Sequence, residues 1–258
     1  GFLIGPMKPH LLIATIALMA CGAAWAQDRI VVSCPITGVI DPGIAVVVER
    51  AIAEAEQSKA SAIVFRIDTP GGRVDSAVDI ASAITETPVR TIAYIEGMGA
   101  ISAGALISFA CDDIIMSPGS AIGAATPVIP TAEGLMPTGE KEVSFMRAKM
   151  RSLAESNGHS PDLAQAMVDK DVELHGYTDS DGKFVIFSAA GAKASDEENA
   201  STENSETSEA KHADGAMVFP DGSELIDPAG KLLTLTPSEA EKNPKLPGRS
   251  RRSRRCRR

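Results

Sequence analysis

Aromatic side chains are scarce in this chain of 258 residues, making up 4% of it, with one Trp and two Tyr. Acidic residues outnumber basic ones, for a net charge of −9. Together these argue against nucleic acid as a partner. Cysteine and histidine are also sparse, four of each. No CxxC pair occurs and no His/Cys cluster has the spacing of metal ligands, which argues against a metal enzyme. The apolar run LLIATIALMACGAAWA is too short for a stable membrane span. No internal repeat is evident, so the 258 residues suit one sizeable domain with appendages.

What charge there is lies unevenly. SDEENASTENSETSE (195–209) is acidic and polar, and the chain ends in RSRRSRRCRR. Neither can bury enough apolar surface to fold alone, so both are expected to be disordered. At the other end, Met7 and Lys8 precede the apolar run, and Ala24-Trp25-Ala26 has the small-x-small form of a signal-peptidase site. Residues 1–26 therefore read as a signal peptide cleaved before Gln27. The alternative is a lipoprotein signal, LMAC, ending at Cys21. Either way the mature domain is expected to be exported, to the periplasm or the extracytoplasmic face of the membrane. Cys34 and Cys111 belong to the folded part, where two buried apolar cysteines are expected rather than a disulfide.

From residue 29, β-branched runs alternate with helical periods. RIVVSCPITGVI reads as a strand, and IAVVVERAIAEAEQ as an amphipathic helix after Asp41-Pro42-Gly43. SAIVFRID is a second strand closed by TPGG; VDSAVDIASAITE is a helix and PVRTIAYIE a third strand. SAGALISFA reads as a helix and DDIIMSP as a fourth strand. This alternation implies a largely parallel α/β fold, with chemistry gathered where loops leave the strand ends. TPGG (69–72) and EGMGAIS (96–102) are two such loops. After the loop GSAIGAATPVIP, helices are expected over about 141–156 and 161–172. Residues 179–230 read as an irregular, hairpin-like extension with an insertion at about 193–214, and KLLTLTPSEAEK (231–242) as a strand and helix start, with Thr236 as cap and Pro237 in the first turn.

Ser102 stands among glycines and alanines in GMGAISAGALI. A helix opening there would aim free N–H groups, that of Ala103 included, at the space around the hydroxyl. Small neighbours would let a substrate carbonyl come close. Ser102 is thus a nucleophile, or else a plain helix cap in a small-residue packing face. Gly71 and Gly72 can present N–H groups without a Cβ in the way, as an oxyanion hole requires, or can form an ordinary tight turn. The two segments lie thirty residues apart, as two sides of one acyl-transfer site could.

FRIDTPGGRVDSAVDIASAI, followed by YIEGMGAISAGALISFACDDIIMSPGSAIGAATPV, resembles the ClpP-class membrane serine proteases of the NfeD family. These are relatives of signal peptide peptidase A within the ClpP/crotonase superfamily. The likeness runs from about residue 29 to about 172 and resumes at KLLTLTPSEAE. It implies a ClpP/crotonase-like spiral of ββα units over 27–178, a Ser–Lys dyad and no cofactor. Its lysine begins the helix after the PGSAIGAATP loop, twelve residues before a leucine; Lys141 stands twelve before Leu153. In that reading Lys141 takes the Ser102 proton, and Lys149 is the fallback. Glu140 and Glu142 flank Lys141, which opposes a lowered pKa, and a solvated lysine at a helix start is the plain alternative. The oxyanion hole falls to the N–H groups of Ala103 and Gly72, with Gly71 as alternative. Asp68 is expected to brace the loop; Ser108, Ser120 and Cys111 are expected to be structural.

The resemblance further implies stomatin-like membrane proteins as substrates, cut in apolar segments, with membrane association and a homo-oligomer of two or more subunits. Members commonly continue into transmembrane helices and a small β-barrel, where this sequence has the basic tail 243–258. Such a tail fits a frameshift or truncation, or a natural segment for anionic lipid heads. Two other functions compete: a catalytically inactive scaffold of the same fold, and acyl-CoA chemistry, which the export signal disfavours.

Overall fold

The computed structural model describes residues 29–182, 184–188, 220 and 222–241. The expected signal segment, acidic insertion and basic tail lie outside these residues. β1 (Val31–Ile40) buries Cys34, Ile36 and Ile40 on one face. Helix α1 (Pro42–Gln57) follows at once, because Asp41 accepts a hydrogen bond from the Ile44 N–H (3.0 Å) and Pro42 opens the first turn. It buries Ala45, Val48, Ile52 and Ala55, the spacing of a single helix face. Then come β2 (Ala62–Gly72), α2 (Val74–Glu86), β3 (Thr91–Ile101), α3 (Ala103–Phe109) and β4 (Asp113–Met116).

A short β5 (Ile122–Gly123) precedes a hairpin of β6 (Val128–Thr131) and β7 (Gly134–Pro137). Helices α4 (Glu140–Ser156) and α5 (Pro161–Ala166) lead to β8 (Leu174–Thr178), β9 (Phe184–Ser188), β10 (Glu224–Asp227), β11 (Thr234–Leu235) and α6 (Pro237–Glu241). The main sheet runs β1-β2-β3-β5-β11 with β4 also on β3, and every pairing but β5 with β11 is parallel. This is the mostly parallel α/β arrangement expected. Ile63, Phe65, Ile67 and Ile95 from the sheet meet Leu106 and Phe109 from α3 in the core. β10, β8 and β9 form a separate antiparallel sheet, so the extension after residue 178 does pair as strands.

Three expectations change. TPGG and most of EGMGAIS are not loops: they lie inside β2 and β3. Gly72 pairs with Ile40, and a Cβ on Gly72 would stand 2.2 Å from the Ile40 carbonyl oxygen. Glycine thus lets β1 close on β2 and extends the strand where propensity predicts a break. In β3 the surplus is taken up by a bulge: Ile67 faces Ile95, whereas Thr69 faces Ala100. Gly97 (φ 60°) and Gly99 (φ 125°) take the turns this needs. Finally, the helix expected to reach 172 ends at Ala166, because neighbouring chain takes the following carbonyls. Leu233 N–H donates to Ala166 O, Ala125 N–H to Met167 O, and the Thr126 hydroxyl to Val168 O.

At the other boundary Thr236 starts the helix as expected, but among the described residues its side chain bonds to Glu239 and not to a helix N–H. Thr236 gives both its N–H (2.8 Å) and its hydroxyl (2.7 Å) to the Glu239 carboxylate as α6 begins.

Candidate active site

Ser102 sits between β3 and α3 with φ 55° and ψ −115°. A non-glycine residue there is strained by about 1–3 kcal/mol, which the surroundings must hold in place. They do so through the backbone. Ser102 N–H donates to Gly123 O on β5 (2.9 Å), and its own carbonyl accepts from Ala105 N–H (2.9 Å) as α3 starts. Its hydroxyl makes no cap bond to the helix it precedes. The plain helix-cap role is therefore absent, and the sharp strand-to-helix turn presents a half-buried Oγ instead.

Gly71 (φ 108°) lies against that side chain: a Cβ there would be 2.6 Å from Ser102 Cβ and 3.1 Å from its Oγ. Gly72, Ser102 and Ala103 line one cleft, of about 40 Å³, with Val74, Leu106 and Met146 among its apolar walls. The structure thus brings Ser102, Ala103 and Gly72 together, with Gly71 directly adjoining. The two glycines differ in one respect: Gly71 N–H is already given to Thr69 Oγ1 (3.0 Å).

Thr69 was not singled out in the sequence. It is fully buried, its hydroxyl donates to Gly38 O (2.5 Å), and its methyl group fills the space under Gly104, where a Cβ would come within 2.6 Å. It therefore locks the Pro-Gly-Gly segment to β1 and seats the first turn of α3. The signal available for it was the glycine two places after the serine, which marks a close helix contact. Asp68 accepts from Met98 N–H (3.0 Å) and lies over Gly97, so it braces the β3 bulge and not the Pro-Gly-Gly segment it was expected to hold. Ser108 donates to Gly104 O (2.8 Å) and Ser120 to Ser117 O (2.8 Å), both structural contacts.

Lys141 occupies the first turn of α4 and is exposed, outside the residues that line the cleft. It makes no ion pair among the described residues. Glu140 instead faces Arg147 (3.7 Å), which is also bonded to Asp169, and Glu142 turns back toward Gly139. Lys149 is half-buried farther along the same helix. Cys34 and Cys111 are buried and not joined; burial pushes the Cys34 thiol up to about 11 and the Cys111 thiol higher still. No group of three or more His, Cys, Asp or Glu among the described residues could hold a metal ion.

Membrane protein NfeD1b of Bacillus subtilis (strain 168) is 35% identical over 150 residues, which cover 58% of this chain and 33% of the relative. Membrane-bound protease PH1510 of Pyrococcus horikoshii is 30% identical over 169 residues, 64% of this chain and 38% of that protein. The chain thus spans little more than a third of the length of these relatives. Among solved structures, a serine-to-alanine variant of the 1510-N membrane-bound stomatin-specific protease superposes with a TM-score of 0.54 at 31% identity, covering 57% of this chain and 72% of that one. A lysine-to-alanine variant of 1510-N, in complex with a substrate peptide, has the same TM-score and identity and covers 57% and 68%. Residues 30–218 match the family described as NfeD1b, N-terminal domain, and the chain belongs to that family.

Proposed function

We propose that this domain is an exported serine endopeptidase that uses Ser102 and Lys141 as a Ser–Lys dyad and cuts apolar segments of stomatin-like membrane proteins. The observation that carries the reading is the strained Ser102, its hydroxyl free of helix capping and set beside glycine in a small apolar cleft. Ser102 Oγ attacks the scissile carbonyl carbon, and its proton passes to the Lys141 amine. The oxyanion is held by the N–H groups of Ala103 and Gly72. Gly72 is preferred to Gly71, whose N–H is spent on Thr69. The C–N bond then breaks as Lys141 returns the proton to the leaving amine. Water attacks the acyl-enzyme by the same route, releasing the acid and restoring the Ser102 hydroxyl.

For this, Lys141 has to move in from its exposed position. Pro127 and Val128, which line the cleft, belong to the stretch leading into α4, so a peptide seated there would draw on the same segment. The relatives support the reading in kind: one is named a membrane-bound protease, and 1510-N is described as stomatin-specific. A serine and a lysine are the positions replaced by alanine in the two 1510-N structures compared above. Membrane association and a homo-oligomer complete the proposal. No helix among the described residues is long and apolar enough to cross a membrane.

One observation favours a second reading, a catalytically silent scaffold: Lys141 is exposed and outside the cleft. Incubation of the chain with an apolar-rich peptide separates the two. The protease reading expects cleavage by the wild type and its loss in both Ser102→Ala and Lys141→Ala. Cleavage that survives Ser102→Ala would sink the nucleophile assignment; binding without cleavage would leave the scaffold.

A further inference from the structure

We infer that the recess beside Ser102 selects the residue whose carbonyl is attacked, admitting small uncharged side chains of alanine or valine size, and that Met146 sets this limit. The inference rests on the endopeptidase reading above. Every residue lining the recess is uncharged, and its inner wall is built by Ala77, Leu106, Ala125 and Met146, each no more than 5% exposed. A charged side chain entering it would lose its hydration with no partner in return. Size follows from volume. A cavity of roughly 15 Å³ holds one water. The recess, at about 40 Å³, has room for a side chain of about three heavy atoms.

Met146 is the longest side chain of that inner wall. It projects from the buried face of α4, with Met150 and Leu153 on the same stripe, and is 4% exposed. Its thioether arm has no polar role to keep, so shortening it extends the recess into α4. Val128 stands at the mouth, 43% exposed, where a larger side chain would narrow the recess from outside without disturbing the core.

The test is a set of apolar peptides, identical except at the attacked residue, which is Ala, Val, Leu, Phe or Asp. The wild-type chain should cut the Ala and Val peptides about tenfold or more faster than the Phe peptide, by kcat/KM, and leave Asp uncut. Met146→Ala should raise Leu and Phe relative to Val by about tenfold. Val128→Phe should depress Val relative to Ala, and being at the surface it answers the question if Met146→Ala fails to fold. An unchanged order in Val128→Phe, or wild type cutting Phe as fast as Val, overturns the inference while leaving the protease reading in place. If the wild type cuts nothing, fluorescence binding of the same peptides to the Ser102→Ala chain decides. The same size order there upholds the recess and removes the catalytic reading; binding blind to size, or none, overturns the recess as well.

Discussion

Gly71 lies directly against Ser102, so close that a methyl group on residue 71 would meet the Ser102 Cβ at 2.6 Å. The backbone of one is thus the floor under the side chain of the other. Gly71→Ala must displace the serine, and at φ 108° the alanine is itself strained by about 1–2 kcal/mol. Cleavage should fall by at least about 100-fold, as expected when a reacting group is misplaced by an ångström. A thermal melt should show a folded protein with a lowered Tm.

Gly72→Ala should fail differently. Its methyl group would lie 2.2 Å from Ile40 O and 2.4 Å from Ile40 N, both backbone atoms that no rotamer change can clear. β1 would have to part from β2 at its last pair. The expected result is a larger loss of Tm than for Gly71→Ala, with amide exchange rising at the end of β1.

Thr69→Val keeps the shape and removes the hydroxyl. Gly38 O loses its donor and the buried Gly71 N–H its acceptor, at a cost of about 2 kcal/mol. Denaturant unfolding should show that loss, together with weaker cleavage. Thr69→Ser retains both hydrogen bonds and should recover most of the activity.

The cysteines give a pH dependence with a fixed sign. Burial raises the Cys34 thiol from 9.0 to about 11, so the folded state holds its proton where the unfolded chain releases it. Stability from this group is complete below pH 9 and falls as pH rises toward 11, by at most about 1.4 kcal/mol per pH unit. Cys34→Ala should lessen that slope in denaturant titrations, with the buried Cys111 supplying the remainder. A thiol reagent at neutral pH should label neither Cys34 nor Cys111 until the protein unfolds.

The helices and strands up to β4 were legible because their apolar residues recur at 3.6 or 2, as in α1 and β1. The glycine-bearing strand ends were not. Whether Pro-Gly-Gly is a turn or a strand depends on Ile40 and Ser102, which only the fold brings there. The β6–β7 hairpin gave no signal either, since Ile129, Leu135 and Met136 are all exposed and leave no alternating buried face. Ser102 and its glycines could be singled out from composition, but the strain at Ser102 could not. Lys141 is put forward by the resemblance, as the lysine twelve residues before Leu153. Its exposure depends on how the hairpin and α4 pack, which no local pattern encodes.

The Ser102 N–H is held by Gly123 O, and Gly123 is paired in turn with Thr234 on β11. Ala124 N–H donates to Leu233 O in the same strip. A residue near position 102 is thereby buttressed by chain more than a hundred positions later, outside the family match at 30–218. The backbone of the proposed nucleophile leans on that two-residue strand. Any sequence change that pries β11 from β5 would slacken this tether through Gly123 and Ala124, next to the cleft-lining Ala125.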